Sequence, residues 1–215
     1  MIAQAEPGKS GLRRYYRQRR QELLFELEEK IAGQVAKALP RLLPPLLPSL
    51  LPSGDGAGPE DHYLGISWPL PGEVDLRGLA GVNLEGGGLA GTGLALPVIT
   101  QGIDQGLVMA YRSWKVGDPL AKDGCGIPAP LGPNLEPESI GCLLVPALAL
   151  DPRGIRLGYG GGWFDRLRAD SRWRRIPAYG VLPGGCIHPQ LPRDTWDVPF
   201  NGWIDEVGLH LCPQT

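Results

Sequence analysis

The chain has 215 residues, 42% of them hydrophobic, enough to bury a core, and the expected organisation is a single domain over residues 1–215. A formal net charge of -2 argues against a general nucleic-acid or membrane-surface role and for a small partner bound locally. Cys125, Cys142, Cys186 and Cys212 form no C-x-x-C pair and no zinc-type spacing with His62, His188 or His210, so reduced thiols in a cytoplasmic protein are expected. No apolar signal core stands at the start. The apolar run 39–51 is interrupted by Pro40, Pro44, Pro45 and Pro48, which excludes a membrane-spanning helix there.

In chain order, residues 10–39 read as one amphipathic helix, with Leu12, Tyr16, Leu23, Leu27, Ile31 and Val35 recurring at helical steps. Ser10 is the expected N-cap. The Pro-, Leu- and Gly-rich stretch 40–59 suits neither helix nor strand and reads as an irregular surface insertion without catalytic groups. Residues 60–215 then form an α/β core. Short apolar strands are expected at 63–68, 94–99, 106–112, 141–148, 177–181 and 202–207, with helices at 163–169 and 75–84. This alternation predicts a mainly parallel sheet, whose ligands sit beyond the carboxyl ends of the strands.

The segment Arg156-Leu157-Gly158-Tyr159-Gly160-Gly161-Gly162-Trp163-Phe164-Asp165 follows the apolar run 142–150 and leads into the helix at 163–169. Four glycines in five positions let a backbone approach an anion, and a helix start adds free N–H groups. Arg156 supplies a fixed positive charge, and Asp165 can hold a divalent metal beside a phosphate. A tight glycine turn with an Arg–Asp surface pair is the competing explanation. The second cluster, Gly86 to Gly91, formally matches G-x-G-x-x-G. It lacks a preceding strand and is followed by a strand, so it reads as a flexible connection.

Three further motifs join this segment: Lys9-Ser10-Gly11-Leu12-Arg13 at the head of the first helix, Trp68 to Asp75, and Trp196-Asp197-Val198-Pro199-Phe200-Asn201 before a terminal strand. In this order, from about Lys9 to Glu206, the set resembles the 5-formyltetrahydrofolate cyclo-ligase family, also called methenyltetrahydrofolate synthetases. The resemblance implies an open three-layer α/β/α sandwich and an ATP-dependent ligase of one-carbon metabolism that uses magnesium. The implied reaction turns 5-formyltetrahydrofolate into 5,10-methenyltetrahydrofolate by phosphorylating the formyl oxygen, with closure by N10. The implied partners are folate and ATP, with no nucleic acid, no membrane and a monomeric chain.

Carried over by motif, the resemblance implies that Lys9 and Arg13 meet the ATP phosphates, with Lys9 and Arg156 as the catalytic cations. Arg156, Leu157, Gly158, Tyr159, Gly160, Gly161, Gly162, Trp163 and Phe164 become the nucleotide loop. Tyr159 and Trp163, with Trp68 and Glu73, line the folate. Asp165 and Asp197 hold the metal. Each position keeps a structural alternative: Lys9 and Arg13 solubilise a helix, Asp165 faces a helix dipole, and Asp197 is a turn residue before Pro199. Arg14, Arg17, Arg19 and Arg20 are read as a solvated face. Phe164, Gly161 and Asn201 depart from the common tyrosine, lysine and aspartate of the family, the last weakening a metal role there. Two other functions stay open: a paralogue acting in thiamine-related metabolism, and a non-catalytic folate-binding protein.

Overall fold

The structure, a computed structural model, describes residues 8–43, 62–81, 92–102 and 105–213. Most of the expected insertion, residues 44–59, and the glycine cluster 86–91 lie outside the described residues. Helix α1 (Lys9–Leu42) runs for 34 residues, roughly 50 Å. Its buried stripe is Leu12, Tyr16, Arg20, Leu24, Ile31, Val35, Leu39 and Leu42. The N-cap is Gly8 instead of Ser10, and the Gly8 carbonyl accepts from Gly11 (2.9 Å) and Leu12 (3.2 Å). Lys9, tied by its ammonium to a distant turn, is drawn into the first turn and moves the boundary. Pro40 likewise falls inside the helix. Leu39, Leu42 and Leu43 bury around it, which offsets the hydrogen bond a proline cannot donate.

Among the described residues eleven strands follow: β1 (His62–Gly65), β2 (Thr92–Gln101), β3 (Leu107–Trp114), β4 (Leu120–Lys122), β5 (Pro128–Pro130), β6 (Ile140–Pro146), β7 (Ala149–Leu150), β8 (Arg156–Leu157), β9 (Ala178–Val181), β10 (Gly202–Ile204) and β11 (Leu209–Leu211). The main sheet has the order β11-β10-β9-β6-β1-β2-β3. Its inner pairs, from β10 to β2, are parallel, and antiparallel β3 and β11 close the two edges. Helices α2 (Trp163–Ala169) and α3 (Ser171–Arg174) separate β8 from β9. Of the helix expected over 75–84, residues 82–84 lie outside the described residues and the rest holds a 3-10 turn at Arg77–Gly81, where the Asp75 carboxylate accepts from the Arg77 N–H at 2.9 Å.

Strand β6 explains why two helical layers are needed. Its side chains alternate, with Leu143 and Val145 entering the core that holds Leu167 of α2 and Trp173 of α3. Cys142 and Leu144 enter the core that holds Ile31, Val35 and Leu39 of α1. Strand β6 is central and buried on both faces, so it reads as a continuous apolar run. Among the described residues, no helix is long and apolar enough to cross a membrane.

Candidate active site

Past the carboxyl end of β6 the chain makes the small β7–β8 hairpin before the glycine segment begins. Arg156 and Leu157 are therefore strand residues, and the turn proper is Gly158 to Gly162. Gly160 (φ 104) and the α2 N-cap Gly162 (φ 64) take backbone angles that strain any side chain. Among the described residues, none of the backbone N–H groups from Tyr159 to Asp165 has a protein acceptor. Free amides on a glycine turn form a cradle for an anion.

Arg156 lies beneath this turn. Its Nη1 donates to the Pro146 carbonyl at 3.2 Å, and its guanidinium packs 5.0 Å from the Phe164 ring centroid and 5.7 Å from that of Phe200. The Nε is buried without a partner. Burial pulls the pKa of Arg156 down, against the opposing charges of Asp165, Glu73 and Asp197. A cation is thus held half-buried at the cleft, with the carboxylates of Asp165, Glu73 and Asp197 around it at a distance. A Cβ on Gly158 would stand 2.8 Å from its Nη atoms, so the turn can ride directly on the guanidinium only as glycine.

The start of α1 reaches the same turn. The Arg13 Nε donates to the Gly158 carbonyl at 3.1 Å, and the Lys9 ammonium bonds Asp194 at 2.6 Å and Asp197 at 3.0 Å. Burial lowers the Lys9 pKa, but hydrogen bonds and charge from the two aspartates outweigh it and leave it raised. Arg14, Arg17 and Arg19 are exposed, as a solvated face requires. Arg20 is not: it is 2% exposed, a correction to that reading. Its Nη1 donates to the Ala147 carbonyl at 3.1 Å and its Nη2 to the Tyr159 hydroxyl. The spacing of 12, 16, 20 and 24 puts Arg20 on the apolar stripe, a signal that a run of arginines conceals.

A cleft of about 290 Å³ opens between these groups and the carboxyl ends of β1 and β6. Trp68, Glu73, Arg156, Tyr159, Gly161, Gly162, Trp163 and Phe164 all line it, which brings most of the motif residues to one cavity. Glu73 is 7% exposed; its Oε2 accepts from the Leu70 N–H at 2.9 Å and its Oε1 is buried without a partner. Trp68 is fixed between Arg77, at 4.3 Å from its ring, and the edge of Trp114. Burial and the charge of Glu73 push the Tyr159 hydroxyl up to about 12, although Arg20 pulls the other way. The far wall lies outside every motif: Ile99 of β2, Met109 of β3, and Asp123, Cys125 and Ile127 of the β4–β5 turn. Only the Asp-Gly-Cys-Gly turn marks any of it in the sequence.

Asp165 stands half-buried in the first turn of α2, and among the described residues its carboxylate has no hydrogen-bond partner. In Asp197, Oδ2 accepts from Lys9 and from the Asp194 N–H at 2.8 Å, while Oδ1 takes no bond among the described residues. No group of three or more His, Cys, Asp or Glu side chains with metal-site geometry occurs among the described residues. Magnesium takes one or two carboxylates together with water and phosphate oxygens, and Asp165 and the remaining oxygen of Asp197 are carboxylate donors of that kind with no hydrogen-bond partner among the described residues. Asn201 has a different job, since its Oδ1 accepts from the Ala178 N–H at 2.9 Å and ties β10 to β9.

The model of the 5-formyltetrahydrofolate cyclo-ligase family matches residues 89–205. The 5-formyltetrahydrofolate cyclo-ligase of Escherichia coli (strain K12) is 36% identical over 63 residues, 27% of this chain. That match spans 32% of the Escherichia coli protein, about a third of its length. The structure of Aquifex aeolicus 5,10-methenyltetrahydrofolate synthetase superposes with a TM-score of 0.65 at 25% identity, covering 96% of this chain and 94% of that one. The 5,10-methenyltetrahydrofolate synthetase from Mycoplasma pneumoniae is similar in fold, with a TM-score of 0.57 at 20% identity over 92% of this chain and 98% of that one.

Proposed function

Because the chain belongs to the 5-formyltetrahydrofolate cyclo-ligase family, we propose that it converts 5-formyltetrahydrofolate into 5,10-methenyltetrahydrofolate at the expense of ATP, releasing ADP and phosphate. One observation carries this reading. The glycine turn that offers free N–H groups, gripped by Arg13 and underlain by Arg156, also bears Tyr159 and Trp163, which line the same cleft as Glu73. A single wall facing both a polyphosphate and a flat substrate is what group transfer between them needs.

An amide oxygen is a poor leaving group at neutral pH. Transfer of the terminal phosphoryl group to the formyl oxygen changes that. N10 then forms a bond to the formyl carbon and gives its proton to water. The carbon–oxygen bond breaks, phosphate departs with the formyl oxygen, and the conjugated methenyl cation remains. Little of this needs a strong base, in keeping with a site made of cations, amides and carboxylates.

In this scheme Lys9 and Arg13 hold the polyphosphate, and the turn amides donate to its oxygens. Arg156, already fixed against two rings and a carbonyl, offsets charge on the transferring group without moving. Glu73 offers its unpartnered Oε1 to the amino and ring N–H donors of the pterin, and Trp163 and Tyr159 present flat faces. Asp165 and Asp197 would hold magnesium arriving with ATP, and the ion would supply neutralisation of phosphate charge.

The same reading makes the partners small molecules, the chain a monomer and its setting the cytoplasm. The test is turnover: purified protein with MgATP converts 5-formyltetrahydrofolate into a product absorbing in the near ultraviolet. Conversion no faster than background would refute it.

A further inference from the structure

We propose that Arg20 is a positioning residue for the folate side of the cleft, setting Glu73 and Tyr159 through contacts to both; this rests on the cyclo-ligase reading above. The guanidinium reaches three separate segments. It bonds the Ala147 carbonyl just after β6 at 3.1 Å, donates to the Tyr159 hydroxyl, and stands 3.9 Å from the Glu73 Oε1. Its Cζ lies 5.3 Å from the Tyr159 ring centroid. A buried carboxylate needs a countercharge, and at 2% and 7% exposure these two groups supply one another's.

The separation is what gives the pair a role beyond stability. At 3.9 Å the two charges attract without a hydrogen bond, so the buried Oε1 keeps an unfilled acceptor beside the cleft while Oε2 is occupied by Leu70. Arg20 therefore balances the charge of Glu73 without consuming its acceptor. The same fork fixes the ring of Tyr159 at the cleft. A lysine can neutralise the charge but cannot donate to both the Ala147 carbonyl and the Tyr159 hydroxyl from one planar fork.

Steady-state kinetics of the full chain and its variants test this. Arg20→Met raises KM for 5-formyltetrahydrofolate about 10- to 100-fold, with KM for ATP held within about threefold. Arg20→Lys, which keeps the charge and melts cooperatively, still raises the folate KM. In a Glu73→Gln background the further change to Met adds a smaller factor than it does alone, because the charge it balanced is gone while the Tyr159 contact is still lost. Two results overturn the proposal: a folate KM for Arg20→Lys equal to that of the unmodified chain, or an equal effect of Arg20→Met in both backgrounds. An unmodified chain without turnover takes the cyclo-ligase reading down as well, whereas turnover with indifferent Arg20 variants removes only this role.

Discussion

The guanidinium of Arg156 bonds the Pro146 carbonyl and packs against Phe164 and Phe200, so it cannot swing toward a ligand and is already where charge must be met. A preorganised cation of this kind costs no reorganisation as the phosphoryl group moves. Arg156→Ala is therefore expected to lower kcat/KM by a factor equivalent to about 2–4 kcal/mol. The fall should be mostly in kcat, measured with both substrates saturating in turn. Asp165→Asn should raise the magnesium concentration needed for half-maximal rate, and an unchanged magnesium titration removes Asp165 from the metal site. Lys9, Arg13, Glu73, Asp165 and Asp197 stand out in the sequence as candidates because each sits in a motif. Arg20 was masked by its neighbours in a basic run, although it falls on the helical stripe with Leu12, Tyr16 and Leu24.

Two glycines separate what the β8–α2 segment does from what holds it up. Gly160 has φ 104 and open surroundings, where an added Cβ would meet the Arg13 Cζ at an ordinary 3.5 Å. Gly160→Ala is expected to cost about 1–2 kcal/mol in stability and to raise KM for ATP by distorting the amide cradle. Gly154, at φ 80 in the β7–β8 hairpin, would drive a Cβ into the Phe200 carbonyl and to 2.9 Å from the Phe200 backbone nitrogen. Gly154→Ala should cost about 2–4 kcal/mol, read from thermal melts, because backbone must move on both sides. Helix α2 was legible at both ends, since a glycine turn starts it and Asp170 stops it. The hairpin before the turn was not, because two-residue strands carry no periodicity. Nor was the place of Pro40 inside α1, since the burial that keeps that helix running is tertiary.

Across the whole molecule, the buried thiols report on the core. Burial pushes Cys142 and Cys186 up to about 12, and Cys212 up to about 11, from an ordinary 9.0. A raised pKa in the folded state means the native protein keeps protons that the unfolded chain gives up. The corresponding stability is complete below pH 9 and is lost as pH rises through 11 to 12. Melting temperatures should fall steadily above pH 9, and Cys142→Ala should flatten that fall relative to the unmodified chain; parallel curves would show that the thiol does not contribute. The parallel sheet, the two helical layers and the cleft at the strand ends all follow from alternation of short apolar strands with helices. The far wall of that cleft does not, because it comes from β2 to β5, where apolar residues serve equally as core.

Central to the proposed reaction is that one glycine turn brings phosphate to the formyl oxygen. Turnover of 5-formyltetrahydrofolate labelled with oxygen-18 in the formyl group, followed by mass analysis of the released phosphate, tests it directly. One labelled oxygen in each phosphate, matched one to one with methenyl product and ADP, is the predicted result. Unlabelled phosphate, with the heavy oxygen in water or formate, would contradict it.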